Sequence, residues 1–238
     1  MELTLRAAAI DWESVDETSY IRGIEALRDT DRIGFHKPVT FFTGENGTGK
    51  STLLEGIAVA AGFNPEGGSK NYSFSTYDSH SELSDAIRLI RNPGKTIRGY
   101  FLRAESFYNV ATKEEEYAKG PGGVPKDFHK MSHGESFLKV FQDYFWEDGL
   151  YLLDEPEAAL SPQRQLTLLR ELWVCSKTGA QFLIVTHSPI LLALPDAEIL
   201  TFDEGPVHPC RYEDTLSVTI TSMFINGKES ILHKLLDD

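Results

Sequence analysis

The residues with the most specific chemistry are Gly44, Glu45, Asn46, Gly47, Thr48, Gly49, Lys50 and Ser51, followed by Thr52. They fit G-x-x-x-x-G-K-[ST], the spacing of a loop that cradles phosphate groups. Glycines let successive backbone N–H groups turn toward phosphate oxygens with no Cβ in the way. A helix starting at the lysine adds its partial positive charge. Lys50 is then placed to reach β- and γ-phosphates, and Ser51 to ligate Mg²⁺. The surroundings agree: Val39-Thr40-Phe41-Phe42-Thr43 is a short β-rich run leading in, and residues 53–61 read as the helix leading out.

Downstream, Leu150-Tyr151-Leu152-Leu153 followed by Asp154 and Glu155 is a buried strand ending in two carboxylates. Alone, such an end is better read as a solvated strand terminus or helix cap. Beside a phosphate loop it suits a Mg-nucleotide site, with Asp154 holding the metal through water. Glu155 would orient and deprotonate the attacking water. The run 182–185 is another apolar strand, and His187 sits just past it, where ligand crevices of α/β sheets form; it is expected near the γ-phosphate. Ser132, His133, Gly134 and Glu135 open a stretch with Phe137, Val140, Phe141, Tyr144 and Phe145 on one helical face. Ser132 and Gly134 there read as a plain N-cap or as a second anion site.

These groups need a scaffold, and strands alternating with helices predict an α/β sheet. Further strands are expected over 96–102 and 199–202, and Ser161-Pro162 reads as the cap of a helix carrying Leu166, Leu169 and Trp173 on one side. Ser230 to Leu236 reads as a short docking helix. The chain of 238 residues is treated as one domain: a core lobe of about 1–63 plus 134–238, and an inserted sub-lobe of about 64–133 from which a strand over 96–104 returns to the core. The formal net charge of −13 argues against a general binder of duplex DNA or anionic membrane. Cys175 and Cys210 cannot form a disulfide framework and suit a reducing compartment, so a cytoplasmic location is expected. With no apolar run long enough to span a bilayer and no signal peptide, direct membrane insertion is not expected.

Taken in order, the motifs resemble those of the ABC-type ATPases: a Walker A loop at 44–51, a Q-loop candidate at Glu105, a signature at 132–135, Walker B at 150–155, a D-loop at 158–161 and an H-loop at His187. The likeness spans about residues 39–190. Gly-Glu-Asn-Gly-Thr-Gly-Lys-Ser-Thr-Leu-Leu-Glu together with Phe101-Leu102-Arg103-Ala104-Glu105-Ser106 resembles small stand-alone bacterial ATPases, nearer to RecF and the chromosome-maintenance heads than to most transporter subunits. The resemblance implies a P-loop NTPase fold of ABC-ATPase type, two-lobed, with a mixed or parallel core sheet and a small helical insert lobe. It also implies an ATP-dependent head-to-tail homodimer in which Ser132, Gly134 and Glu135 of one copy face the nucleotide held by the other. The chain departs from the usual pattern in three places. The signature reads Ser132-His133-Gly134-Glu135 where Ser-Gly-Gly-Gln is usual. Glu105 replaces the Q-loop glutamine, able to contact Mg²⁺ through water, and the D-loop ends in Ser161 rather than Asp. The adenine-stacking aromatic is Tyr20 or Phe35.

Outside the motifs, Arg88, Arg91, Lys95, Arg98 and Arg103 form a local basic excess in an acidic chain. The plain reading is a solvated helix end and strand edge; an anionic partner such as nucleic acid is the other. The expected function is a soluble ATPase whose ATP-bound dimer drives a conformational switch in a protein effector. The alternatives are an energy-coupling subunit of a membrane transporter and a nucleotide-gated module for DNA or an effector.

Overall fold

A computed structural model describes residues 2–70, 82–103, 141, 143, 145 and 148–236. Its larger sheet has seven strands in the order β10-β9-β3-β8-β7-β6-β4. The inner strands β3 (Val39–Thr43), β6 (Gly99–Arg103), β7 (Leu150–Asp154), β8 (Gln181–Val185) and β9 (Glu198–Thr201) run parallel. The short edge strands β4 (Gly68–Ser69) and β10 (His208–Pro209) run antiparallel to their neighbours. A parallel sheet is covered on both faces, so its strands read as unbroken apolar runs. Alternation sorts their side chains: Phe42, Phe101, Leu152 and Leu183 enter one core, while Phe41, Tyr151, Phe182 and Ile184 enter the other.

The first core is closed by helix α2 (Lys50–Ala60) and by a small antiparallel sheet, β2-β1-β5. Its strands are β1 (Leu5–Ile10), β2 (Arg32–Gly34) and β5 (Ile87–Arg91). Leu5, Ala8, Ile10, Ile33 and Ile87 from this sheet join Leu53, Leu54 and Ile57 of α2. One buried side chain ties the two sheets together. Gln181, at the start of β8, accepts a hydrogen bond from Leu5 N at 2.8 Å and donates one to Leu5 O at 2.9 Å. Short helices α1 (Glu25–Arg28) and α3 (Leu83–Ala86) fill the margins.

The second core packs under α4 (Pro162–Thr178) and α5 (Pro189–Leu192). Ser161 caps α4 as expected, accepting from Arg164 N. The stripe it buries differs from the expected one: Leu168 and Leu172 are sealed, whereas Leu166 is 57% exposed and Leu169 and Trp173 only flank the core. Both stripes have helical spacing, and contact with the sheet selects between them. Phe145 stacks between Phe141 at 3.6 Å and Tyr151 at 4.2 Å, as the apolar pattern in this stretch expects; Phe137, Val140 and Tyr144 lie outside the described residues. The strands near 39–43, 96–102, 150–153, 182–185 and 199–202 are found within a residue or three of their expected ends. The small sheet was not expected, and its β5 lies within the segment assigned to the inserted sub-lobe, where it pairs with β1. The helix expected over Ser230 to Leu236 is the end of a longer α6 (Leu216–Leu236), interrupted by non-helical backbone at Gly227; its last two leucines, Leu235 and Leu236, are exposed. No helix among the described residues is long and apolar enough to cross a membrane.

Candidate functional site

Because the inner strands are parallel, their carboxyl ends share one edge of the sheet, where crevices for ligands form. β3 ends in the glycine-rich loop, β6 in Arg103, β7 in Asp154, β8 leads to His187 and β9 to Asp203. The three loop glycines have positive φ: +138° at Gly44, +83° at Gly47 and +95° at Gly49. Gly49 caps α2 in the left-handed conformation. A Cβ on it would lie 2.6 Å from Ile24 Cγ2, and one on Gly44 would lie 3.0 Å from Asp203 Oδ1. Only glycine satisfies both the backbone and the space at these two positions. Glu45, Asn46 and Gly47 form the exposed tip, Thr48 Oγ1 donates to Glu45 O at 2.9 Å, and Thr52 is half-buried on the first turn of α2.

Lys50 is only 5% exposed, and its ammonium donates to Gly44 O at 2.8 Å and Glu45 O at 2.6 Å. Burial pushes its pKa down, while Asp203, Glu155, Asp154 and Glu45 pull it back up. The carboxylate of Asp203 also accepts from Glu45 N at 2.8 Å, pinning the first turn of the loop from the neighbouring strand end.

Across β8 from the loop strand stands β7 with Asp154, 8% exposed. Ser51 Oγ donates to Asp154 Oδ1 at 2.8 Å. Hydroxyl plus carboxylate is a hard oxygen pair, and Mg²⁺ prefers one or two such protein ligands with phosphate oxygens and water over a full protein cage. The donor set therefore fits Mg²⁺ bound with nucleotide.

Glu155 turns away from the strand with left-handed backbone, φ +50° and ψ +54°, while its N–H bonds Val185 O at 3.0 Å. A non-glycine residue in that region stores strain and is held by its surroundings. Its carboxylate lies 3.9 Å from His187 Nε2. Two residues on, Glu157 accepts from His187 N at 2.6 Å. Burial raises the Glu157 pKa. Burial also lowers that of His187, with Lys50 adding to the effect, so the imidazole stays neutral below its ordinary range. His187 Nε2 is buried and has no hydrogen-bond partner among the described residues, so it is free to accept a polar ligand group. A cleft of about 210 Å³ opens here, between Thr43, Gly44, Glu45 and His187 on one wall and Leu216, Ser217, Ile220 and Thr221 of α6 on the other.

The structure thus brings Gly44, Lys50, Ser51, Asp154, Glu155 and His187 to one edge. Glu105, Ser132, Gly134 and Glu135 lie outside the described residues. Three contributors escaped the sequence reading. Asp203 carries the same signal as Asp154, an acid just past an apolar strand; Glu157 is one of three acids between 154 and 157. Arg103, read as one of the solvated basic residues, is instead 20% exposed and paired with Glu55.

A family profile described as an AAA domain matches residues 20–131. A second profile matches residues 123–193; it too is described as an AAA domain, and its description adds the AbiEii toxin of type IV toxin–antitoxin systems. No curated protein sequence matches the chain. Among solved structures, CbiO1 from Clostridium perfringens, part of the ABC transporter complex CbiONQ, is similar with a TM-score of 0.50 at 15% identity, over 95% of this chain and 97% of that one. An ATP-binding cassette of an ABC transporter in its ADP conformation gives 0.50 at 18% identity, over 94% and 99%. The SMC head domain from Thermotoga maritima gives 0.47 at 15% identity, over 88% and 99%. The two cassettes establish the fold. That fold is the ABC-type P-loop ATPase fold, and the phosphate loop and the two AAA profiles agree with it.

Proposed function

We propose that the chain binds Mg-ATP and hydrolyses it to ADP and phosphate at a site completed by a second copy, and that closure of this dimer drives a conformational switch in a protein effector. The observation that carries the reading is the Ser51–Asp154 hydrogen bond at 2.8 Å, with Glu155 and His187 3.9 Å apart at the next strand ends. The amides of residues 44–49 and the start of α2 bind phosphate oxygens. Lys50, already turned into the loop, supplies charge to the terminal phosphates. Mg²⁺, held by Ser51 and Asp154 with Glu105 as a further ligand through water, would neutralise charge on the phosphate oxygens. Glu155 takes the proton of the attacking water. Neutral His187 offers Nε2 on the same side. Ser132, Gly134 and Glu135 of the other copy complete the phosphate shell, a reading supported by the resemblance of their sequence to the ABC signature. The acceptor is water rather than a kinase substrate because Glu155 and His187 stand together just beyond the strand ends.

Replacing Glu155 with Gln keeps the size of the side chain and removes the base. It should lower kcat by about 10²–10⁴-fold, retain ATP binding, and trap an ATP-dependent dimer visible by size-exclusion chromatography. Wild-type activity strictly first-order in protein down to nanomolar concentration would rule out a site shared between copies. A second reading, nucleotide-gated binding of nucleic acid, is favoured by Arg88, whose side chain is 80% exposed, and by the exposed Arg91 and Arg98. The transporter-subunit alternative has only the fold behind it.

A further inference from the structure

We propose that Arg103 is a positioning residue of the metal–nucleotide site, holding Asp154 in place through a closed ring formed with Ser51 and Glu55. The inference rests on the nucleotide-binding reading above and extends it to a residue outside the phosphate loop and the expected metal ligands. The parallel register of β6 and β7 pairs Arg103 with Asp154. The guanidinium Nε lies 3.6 Å from Asp154 Oδ2. Its Nη1 donates to Glu55 Oε2 at 2.6 Å and to Pro65 O at 3.3 Å. Phe101, two residues back on the strand, places its ring 5.9 Å from Arg103 Cζ. On the other side of Asp154, Oδ1 takes the hydrogen bond of Ser51.

Ser51 and Glu55 are four residues apart on α2, hence one turn apart on one face. The ring therefore closes through the helix: Ser51 to Asp154, Asp154 to Arg103, Arg103 to Glu55, and Glu55 back to Ser51 along the backbone. Each oxygen of Asp154 is engaged, which fixes the plane of its carboxylate. The side chains of Arg103, Asp154 and Glu55 are 20%, 10% and 14% exposed, so salt screens the ring less than a surface pair. The same ring joins the phosphate-loop helix to two strand ends, so the spacing between Ser51 and Asp154, the expected metal ligands, does not depend on one hydrogen bond alone. Arginine suits the place because its planar fork reaches two carboxylates at once; a lysine ammonium cannot span both in fixed geometry.

The test is the affinity for a fluorescent ATP analogue, measured in EDTA and again in Mg²⁺, for wild type, Arg103→Met, Arg103→Lys and Glu55→Gln. If the ring positions Asp154, Arg103→Met keeps its affinity in EDTA within about threefold and loses about tenfold or more of the gain that Mg²⁺ provides. Arg103→Lys and Glu55→Gln show smaller losses in the same direction. A full Mg²⁺-dependent gain in the Arg103 variants overturns the proposal, as does an equal loss with and without the metal, which would mean a purely structural role. Should Arg103→Met fail to fold by circular dichroism, Arg103→Lys decides on the same criterion. A wild-type chain that binds no nucleotide in either condition removes the nucleotide reading itself, and the role of the ring with it.

Discussion

Substituting Gly49 by Ala tests the phosphate loop as a piece of folded structure, independent of catalysis. At φ +95° an L-residue at this position sits in left-handed backbone, a strain of about 1–2 kcal/mol. The added methyl also meets Ile24 Cγ2 at 2.6 Å and Leu27 Cδ1 at 3.1 Å. Leu27 is fully buried, and the Ile24 methyl branches directly from Cβ, so neither can swing aside cheaply. Overpacking of this kind costs about 1–3 kcal/mol, which brings the total to about 2–5 kcal/mol. For a chain of this length each kcal/mol moves the melting temperature by about 2–4 °C. Gly47→Ala is the matched control: φ is +83°, but nothing among the described residues lies within 4 Å of its Cβ, leaving the backbone strain alone. Thermal melts followed by circular dichroism should place Gly49→Ala well below Gly47→Ala, and Gly47→Ala slightly below wild type. If Gly49→Ala melts with Gly47→Ala or above it, the packing of α1 beneath the loop is not as described.

Glu157→Gln keeps an acceptor for His187 N and removes a buried charge. Burial raises the folded-state pKa of Glu157, so its carboxyl favours the fold fully below the unfolded value near 4.5, and that contribution is lost as pH rises through the folded pKa. The variant should therefore match wild type near pH 4 and melt increasingly above it as pH rises to 8; a gap that narrows with rising pH contradicts the assignment. For the nucleic-acid reading, joint replacement of Arg88, Arg91 and Arg98 by Ala should weaken DNA retention and lower its salt slope by about 3. Lys95 and Arg103 are left out because Asp148 and Glu55 already engage them. Retention unchanged at two salt concentrations takes the patch out of consideration.

What could be read from the chain alone follows from which signals are local. β3, β7 and β8 are covered on both faces, so their apolar runs are continuous, and the phosphate loop is a contiguous string of residues. β1 and β5 are less visible: Leu-Arg-Ala-Ala-Ala-Ile is short on β-branched residues, and β5, Ile-Arg-Leu-Ile-Arg, is hidden inside a basic run. In both, one face is apolar only because the partner sheet is there. The stripe on α4 was misread because the stripe through Leu166 and that through Leu168 have equal periodicity; the sheet beneath breaks the tie. Arg103 shows the limit most plainly. Nothing in a row of arginines marks one of them as internal; the register that sets Arg103 against Asp154 is a pairing between strands 51 positions apart in the chain.

The charge at the sheet edge gives these residues a common logic. Among the described residues, Glu45, Asp154, Glu155, Glu157 and Asp203 gather at this edge, against Lys50 and Arg103. A triphosphate brought alone to such an edge meets more acid than base, and Arg103 cannot help, because it is turned toward Asp154 and Glu55. Attraction has to come from loop amides, from Lys50 and from a divalent cation carried in with the phosphates. It follows that affinity should depend on Mg²⁺ far more steeply than at a site rich in lysine and arginine. Converting Asp203 to Asn should then strengthen metal-free binding, by removing a negative charge while keeping an acceptor for Glu45 N. An isothermal titration in EDTA decides the point: no gain in affinity for Asp203→Asn would mean that the carboxylates do not set the electrostatics of this edge.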